Sequence, residues 1–417
     1  MRILYLLQEF PYPPTNGIRW KIYNVLDYMA RYHECDVISF GAQSDVEQAA
    51  AWISSLPGLN VLGVYSLQTG MQWAIRLIKH ILKGAPPSFA RWDSKVLIDA
   101  IQAAIQQRAY DVVHIDMINM ALYHPLVRDL PTVLSVNDAV SMRYWRMAGA
   151  TKRLARKALY AFSAWRIGCF ERNVYPQFCK VHLVSSLDAK WLICRVPQLQ
   201  NVVVIKLPVD DLFFNVPILS SKYHPIIFTA GDFRFEYIER PVLEFVTTGF
   251  KIIRKIQPDV RFIVIGRHAS RKAVQLLLGQ PGIQFMPWVE DYVGVLASAS
   301  IALFLDAAGS GVKNRVLQAL AAGKPVVGTP VAFEGLDVTN GVNGFVCHSL
   351  NEVVETVIKL LQNREMCARV GRAARELVKR YHNKVIIGRQ WEALYQQAIA
   401  EYHKSKMLSR SGSIGRA

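Results

Sequence analysis

Apolar residues along the 417-residue chain come in short continuous runs separated by stretches of helical period. In the first half the runs fall at 2–8, 35–40, 60–65, 111–115, 131–136, 180–184 and 202–206. Runs of this length without polar alternation predict strands buried on both faces of a parallel sheet. Amphipathic segments such as 17–31 and 94–107 fit between them as helices. The rhythm restarts at 226–231 and continues through 261–266, 301–305 and 325–329. It predicts an α/β chain of two Rossmann-like, doubly wound domains facing across a cleft. The expected boundaries are 1–213 and 225–385, with a turn-rich linker at about 214–224. A helix over 386–403 should pack back on the first domain, and the basic tail 404–417 should be mobile.

Composition narrows the class. With 49 Lys+Arg against 32 Asp+Glu, the net charge of +17 asks for an anionic partner. Helix-turn-helix, zinc-finger and RNA-recognition signatures are absent, so nucleic acid is not expected. The six cysteines form no CxxC and no cluster with histidine, which suits a reducing, cytoplasmic setting and no metal. The apolar run 1–7 meets Gln8, Glu9 and prolines at once, which favours a buried first strand over a signal peptide. No apolar stretch approaches the ~18 residues of a spanning helix.

Chemistry should sit in the loops after strands. One such loop, Pro11 to Lys21, opens a helix at Gly17, with Arg19 and Lys21 adding positive charge. A second runs from Ala307 through Gly309, Ser310, Gly311, Val312 and Lys313 into a helix bearing Arg315 and Gln318. Its glycines let backbone amides approach a phosphate, Lys313 could reach a diphosphate, and Gln318 could bond a ribose. No Gly-Lys-Ser/Thr follows, so it is not a Walker loop. Gly231, Asp232 and Arg234, and likewise Gly266 and Arg267, stand at two further strand ends. On the N-terminal side His114, Asp116 and Asp138 could share the cleft. Each of these loops can also be read as an ordinary turn, and a strand histidine is usually a core residue. Finally, 73–83 and 143–172 are basic amphipathic segments that suit an anionic membrane surface.

Together these residues resemble the bacterial glycosyltransferases of family 4 (glycosyltransferase group 1), of GT-B fold. The likeness is most specific from Gly309 through Val327 and on to Val331–Leu336. It also covers the Gly17 loop, Ser185–Asp188 and the Asn340–Val346 turn and strand. The resemblance implies retaining transfer of a sugar from a nucleoside-diphosphate sugar, without a metal or other cofactor. The donor would bind the C-terminal domain and a saccharide or lipid-linked acceptor the N-terminal one. It implies Lys313 and the Gly17 amides at the diphosphate, helped by Arg315, Arg234 and Arg267. Asp116 stands where many members have histidine, and is the expected catalytic partner of Lys313. Many members also carry two glutamates where this chain has Ser310 and Gln318, and the usual Asn-Gly before the crossover is replaced by 207–210. Two alternatives stay open: a nucleotide-sugar-binding partner without turnover, and a nucleotide-sugar epimerase of the same fold.

Overall fold

The computed structural model describes residues 1–67, 71–82, 86–218 and 225–414. Lys83, part of the expected linker (219–224) and the last three residues of the tail lie outside them. Strands β1 (Arg2–Leu7), β2 (Glu34–Phe40), β3 (Leu59–Tyr65), β4 (Val112–Asp116), β5 (Thr132–Asn137), β6 (Lys180–Leu183) and β7 (Val202–Val204) form one sheet. Its order is β3-β2-β1-β4-β5-β6-β7, and every pairing is parallel. Strands β8 (Ile226–Asp232), β9 (Arg261–Arg267), β10 (Ile283–Met286), β11 (Ile301–Phe304), β12 (Val326–Gly328) and β13 (Phe345–Val346) form the second. Its order, β10-β9-β8-β11-β12-β13, repeats the winding. In each sheet the strand order reverses once, between β1 and β4 and between β8 and β11. Such switch points leave a crevice at the carboxyl edge, where ligands bind in this class of fold.

The strands form where the pattern predicts because their residues are sealed on both faces. Ile3 to Leu7 of β1 are all fully buried, as are most of β4 and β11. The short edge strands β10 and β13 were not foreseen as strands from periodicity. Gln284 exposes one face of β10, and β13 pairs over only two residues.

The chain divides into two compact units that do not follow the linear order. The first comprises Met1–Met142, Ala161–Pro208 and the residues from Lys384 onward; the second comprises Arg143–Tyr160 and Val209–Asn383. The last helix, Lys384–Ile414, lends Ile387, Trp391, Leu394, Tyr395 and Ala398 to the core of the first unit. It runs past Lys404 through most of the segment expected to be an aperiodic tail. Tyr402 on it donates to the carbonyl of Asp129, and Lys180 pairs with Glu401. Residues 143–160, expected within the first domain, cluster with the second unit.

Candidate functional site

In the first unit the β1–β4 switch point is filled by the protein's own charges. Lys21, on helix Gly17–Met29, points its ammonium at Asp116, and both side chains are 1% exposed. The ammonium also donates to Ser135 Oγ and Asn137 Oδ1, each at 2.7 Å, so its three protons are all placed. Burial raises the Asp116 carboxyl, but the charges and hydrogen bonds of Lys21 and His114 together outweigh it and hold the group below its ordinary range. Burial also pulls Lys21 down, with Asp116 opposing. His114 Nδ1 lies 2.8 Å from the Tyr395 hydroxyl and its ring is fully buried, which keeps it neutral to lower pH than usual. The sequence puts Asp116 and His114 forward as cleft residues, whereas here they lie inside the unit. Asp138 is also buried, just past β5.

The Gly17 loop is likewise occupied from within. Asn16 Oδ1 accepts from the Ile18 and Arg19 amides at 2.9 and 3.0 Å, where an anion was expected. Arg19 binds Asp45 at 3.0 Å and Glu9 at 3.4 Å, so its charge braces the loop.

The second unit treats its switch point differently. Residues 307–313 leave β11 as a loop in which Gly309 (φ 143°) and Gly311 (φ 62°) take backbone conformations that disfavour side chains. Helix Asn314–Ala321 follows, and Lys313 occupies its cap position. Lys313 Nζ donates to the Gly311 carbonyl at 3.0 Å and lies 3.5 Å from Glu334 Oε2. Arg146, from the 143–160 segment, donates to the Gly309 carbonyl at 2.8 Å and to the same Glu334 oxygen at 2.6 Å. Arg315 pairs with Asp306, a buried carboxylate just past β11, and sits over the Phe304 ring. Gln318, one turn into the helix, and Val312 are both buried, and Ser310 is half-buried.

Beside this loop a cavity opens along Ala307, bounded by Arg156, Arg234 and Arg240 and by Phe235 and Tyr237. The two aromatic rings stack with centroids 5.3 Å apart. Arg156 pairs with Glu236 across the rim at 3.2 Å, and the Arg240 guanidinium has no ion pair among the described residues. Asp232 is gripped by Arg234 and lies 3.2 Å from His268 Nδ1. Burial raises its carboxyl, but these bonds carry it below its ordinary range. Gly231 and Gly266 serve packing: a Cβ on Gly266 would lie 2.9 Å from Phe233, and one on Gly231 2.7 Å from Ile238. Arg267 is exposed at the end of β9.

The structure therefore brings Gly309, Ser310, Gly311, Val312, Lys313, Arg315 and Gln318 together, with Arg234 close by through the cavity. Sequence reading missed Arg146 and Glu334 as partners of that loop, and Arg156 and Arg240 as walls of the cavity beside it. Arg146 and Arg156 carried a signal, the basic run, but nothing in the run shows which unit it joins. Among the described residues no group of three His, Cys, Asp or Glu is placed to hold a metal.

Residues 224–363, which lie within the second unit, match the family model described as glycosyl transferases group 1. The capsular polysaccharide biosynthesis glycosyltransferase CapM of Staphylococcus aureus is 23% identical over 194 residues, 44% of this chain and 50% of CapM. An uncharacterized glycosyltransferase of Methanocaldococcus jannaschii, MJ1069, is 24% identical over 155 residues, 35% of this chain and 39% of that protein. The chain thus matches half or less of the length of these relatives. Among solved structures, Anabaena Alr3699/HepE in complex with UDP and glucose aligns with a TM-score of 0.65 at 14% identity. That alignment covers 94% of this chain and 98% of the other. At this identity the likeness speaks for the fold alone, and the fold is GT-B.

Proposed function

We propose that this chain is a glycosyltransferase of the bacterial family 4 type. It would move a hexose-like sugar from a nucleoside-diphosphate sugar to a saccharide or lipid-linked acceptor, with retention at the anomeric carbon. The observation that carries the proposal is the glycine loop 307–313, with Lys313 and Arg146 converging on it beside an arginine-lined cavity. As the bond from the anomeric carbon to the diphosphate breaks, its electron pair stays on the phosphate oxygen. Fixed cations at that oxygen lower the barrier without a metal. The acceptor oxygen bonds the carbon and its proton passes to the departing diphosphate. Gln318 would bond the donor's ribose. Asp116 and His114 are buried and act, in this reading, by fixing the carboxyl edge of the first sheet.

The setting we propose is cell-surface polysaccharide or glycolipid synthesis, in keeping with the name of CapM. The chain would work in the cytoplasm at the inner face of a membrane. Helix Leu154–Val174 supports this: Leu154, Leu159, Phe162 and Trp165 are exposed along it, and its one carboxylate, Glu171, is buried. Trp73, Ile75 and Ile78 of helix Met71–Leu82 are exposed too. No helix among the described residues is long and apolar enough to cross a membrane. Flotation with anionic liposomes at low salt should carry the protein upward; recovery in the pellet fraction alone would remove the membrane from the proposal.

Screening UDP-, GDP- and TDP-sugars by thermal shift tests the donor, since a bound donor raises the melting temperature. Transfer to saccharide or lipid-phosphate acceptors then tests turnover. Stabilisation by none of the three sugar classes would end the proposal. A second reading, a nucleotide-sugar-binding protein without turnover, is favoured by Ser310, which gives the loop no carboxylate for the sugar. Glycosylated product from purified protein would exclude it, and isomerised donor without acceptor would instead indicate an epimerase.

A further inference from the structure

We infer that Arg146 is a diphosphate-binding residue of the glycine loop, and that Glu334 occupies the anion position until a nucleoside diphosphate displaces it. The inference rests on the donor reading above and adds to it an exchange at Glu334 that the reading does not contain. Two cations, Arg146 and Lys313, meet on one oxygen of one carboxylate, at 2.6 and 3.5 Å. Each also holds a loop carbonyl, Gly309 and Gly311 respectively. The loop is thus built around an anionic oxygen, and its own side chain supplies it.

Charge and geometry both leave this arrangement open to replacement. Arg146 and Lys313 both lean on the single negative charge of Glu334. A diphosphate brings more than one negative charge and several acceptor oxygens, and a guanidinium fork fits phosphate with paired bonds. The Glu334 side chain is 18% exposed and Arg146 30%, so neither is sealed in place. Glu334 lies in a turn that Gly335 continues at φ 76°, away from the rigid sheet. The contrast with Lys21 is direct: that ammonium and its carboxylate are each 1% exposed. The adjoining cavity adds three arginines against Glu236 alone, so an incoming anion meets positive charge on its way to the loop.

Arg146 is supplied by the 143–160 segment, which lies in sequence between two pieces of the first unit and clusters with the second. The exchange therefore makes anion binding depend on a segment outside the 224–363 family match.

Titration calorimetry of the full chain with UDP and with inorganic diphosphate tests the exchange. Arg146→Gln should weaken both about tenfold, and Arg146→Lys, which keeps the charge but loses the fork, should fall between. Glu334→Gln should tighten both several-fold at low salt, with the gain shrinking at high salt. A purely structural Glu334 would give the opposite sign, because its loss would loosen the loop. Unchanged affinity in Arg146→Gln, or weaker binding in Glu334→Gln with its melting temperature intact, overturns the inference. Should Arg146→Gln unfold, Arg146→Lys and Glu334→Gln still decide by sign. If the wild type ignores UDP yet binds diphosphate and Glu334→Gln tightens it, the exchange stands and the UDP donor reading falls. Failure of both probes on wild-type protein overturns the exchange, while the donor reading is decided separately by the UDP-, GDP- and TDP-sugar screen.

Discussion

The two sheets share one winding yet treat their switch points in opposite ways. Between β1 and β4 a lysine is buried against Asp116, Ser135 and Asn137, and Asn16 caps the helix amides. Past β11 a lysine instead stands over a glycine loop and shares Glu334 with Arg146, and the start of that loop, Ala307, borders a cavity. The same topological crevice can be spent on rigidity or kept for a ligand. What separates the cases is whether the cation's partners are sealed: a fully buried pair cannot be exchanged, while a partly exposed carboxylate can.

The largest effect should come from breaking the sealed pair. Lys21→Met leaves Asp116 as an uncompensated buried charge and should cost about 3–5 kcal/mol in urea unfolding. The double variant Lys21→Met/Asp116→Leu should recover most of that loss, since it removes both charges together. If Lys21→Met unfolds at the same urea concentration as wild type, the first switch point is not the anchor described above.

Acid probes the same interior. Burial takes His182 down to about 3, and it also lowers His114 and His124. In the unfolded chain each titrates near 6.5. Below that pH the unfolded state therefore binds more protons, and stability falls as pH drops. The slope is about 1.4 kcal/mol per pH unit for each histidine kept neutral. Urea midpoints between pH 7 and pH 5 should decline steeply, and a flat profile would contradict burial of these rings.

Lys313→Met should behave differently from Lys21→Met. It should lower UDP affinity about tenfold, about 1.4 kcal/mol, while changing unfolding stability by about 1 kcal/mol or less. Equal losses of stability in the two lysine variants would erase the contrast. The smallest effect separates the two glycine loops. Gly311→Ala should cost about 1 kcal/mol because its φ of 62° suits glycine. Gly17→Ala, at the start of an ordinary helix, should shift the midpoint by only a few tenths of a kcal/mol.

Much of the fold was legible because it is local. Val112–Ile115 and Ile301–Phe304 read as strands from composition alone, and Gly309 to Lys313 read as a loop because glycine pairs at a strand end have few other uses. What could not be read was long-range. Nothing near Lys21 says that its partner lies at position 116, and nothing near Arg146 says that it will meet Glu334, 188 positions on. The Gly17 loop misled for a related reason. Asn16 reads as one more turn residue, yet its side chain fills the place that the glycine seemed to leave open. The length of the last helix was missed because its final turns are polar and show no apolar stripe.

That helix also sets an order of events. The first unit contains residue 1 but lacks one wall of its core until Trp391, Leu394 and Tyr395 have been made. On the ribosome the second unit, complete at Asn383, has all of its residues before the first does. The half of the molecule begun first is then the last to close, and until it does β1, β4 and their buried charges stand without the aromatic cover that keeps water out.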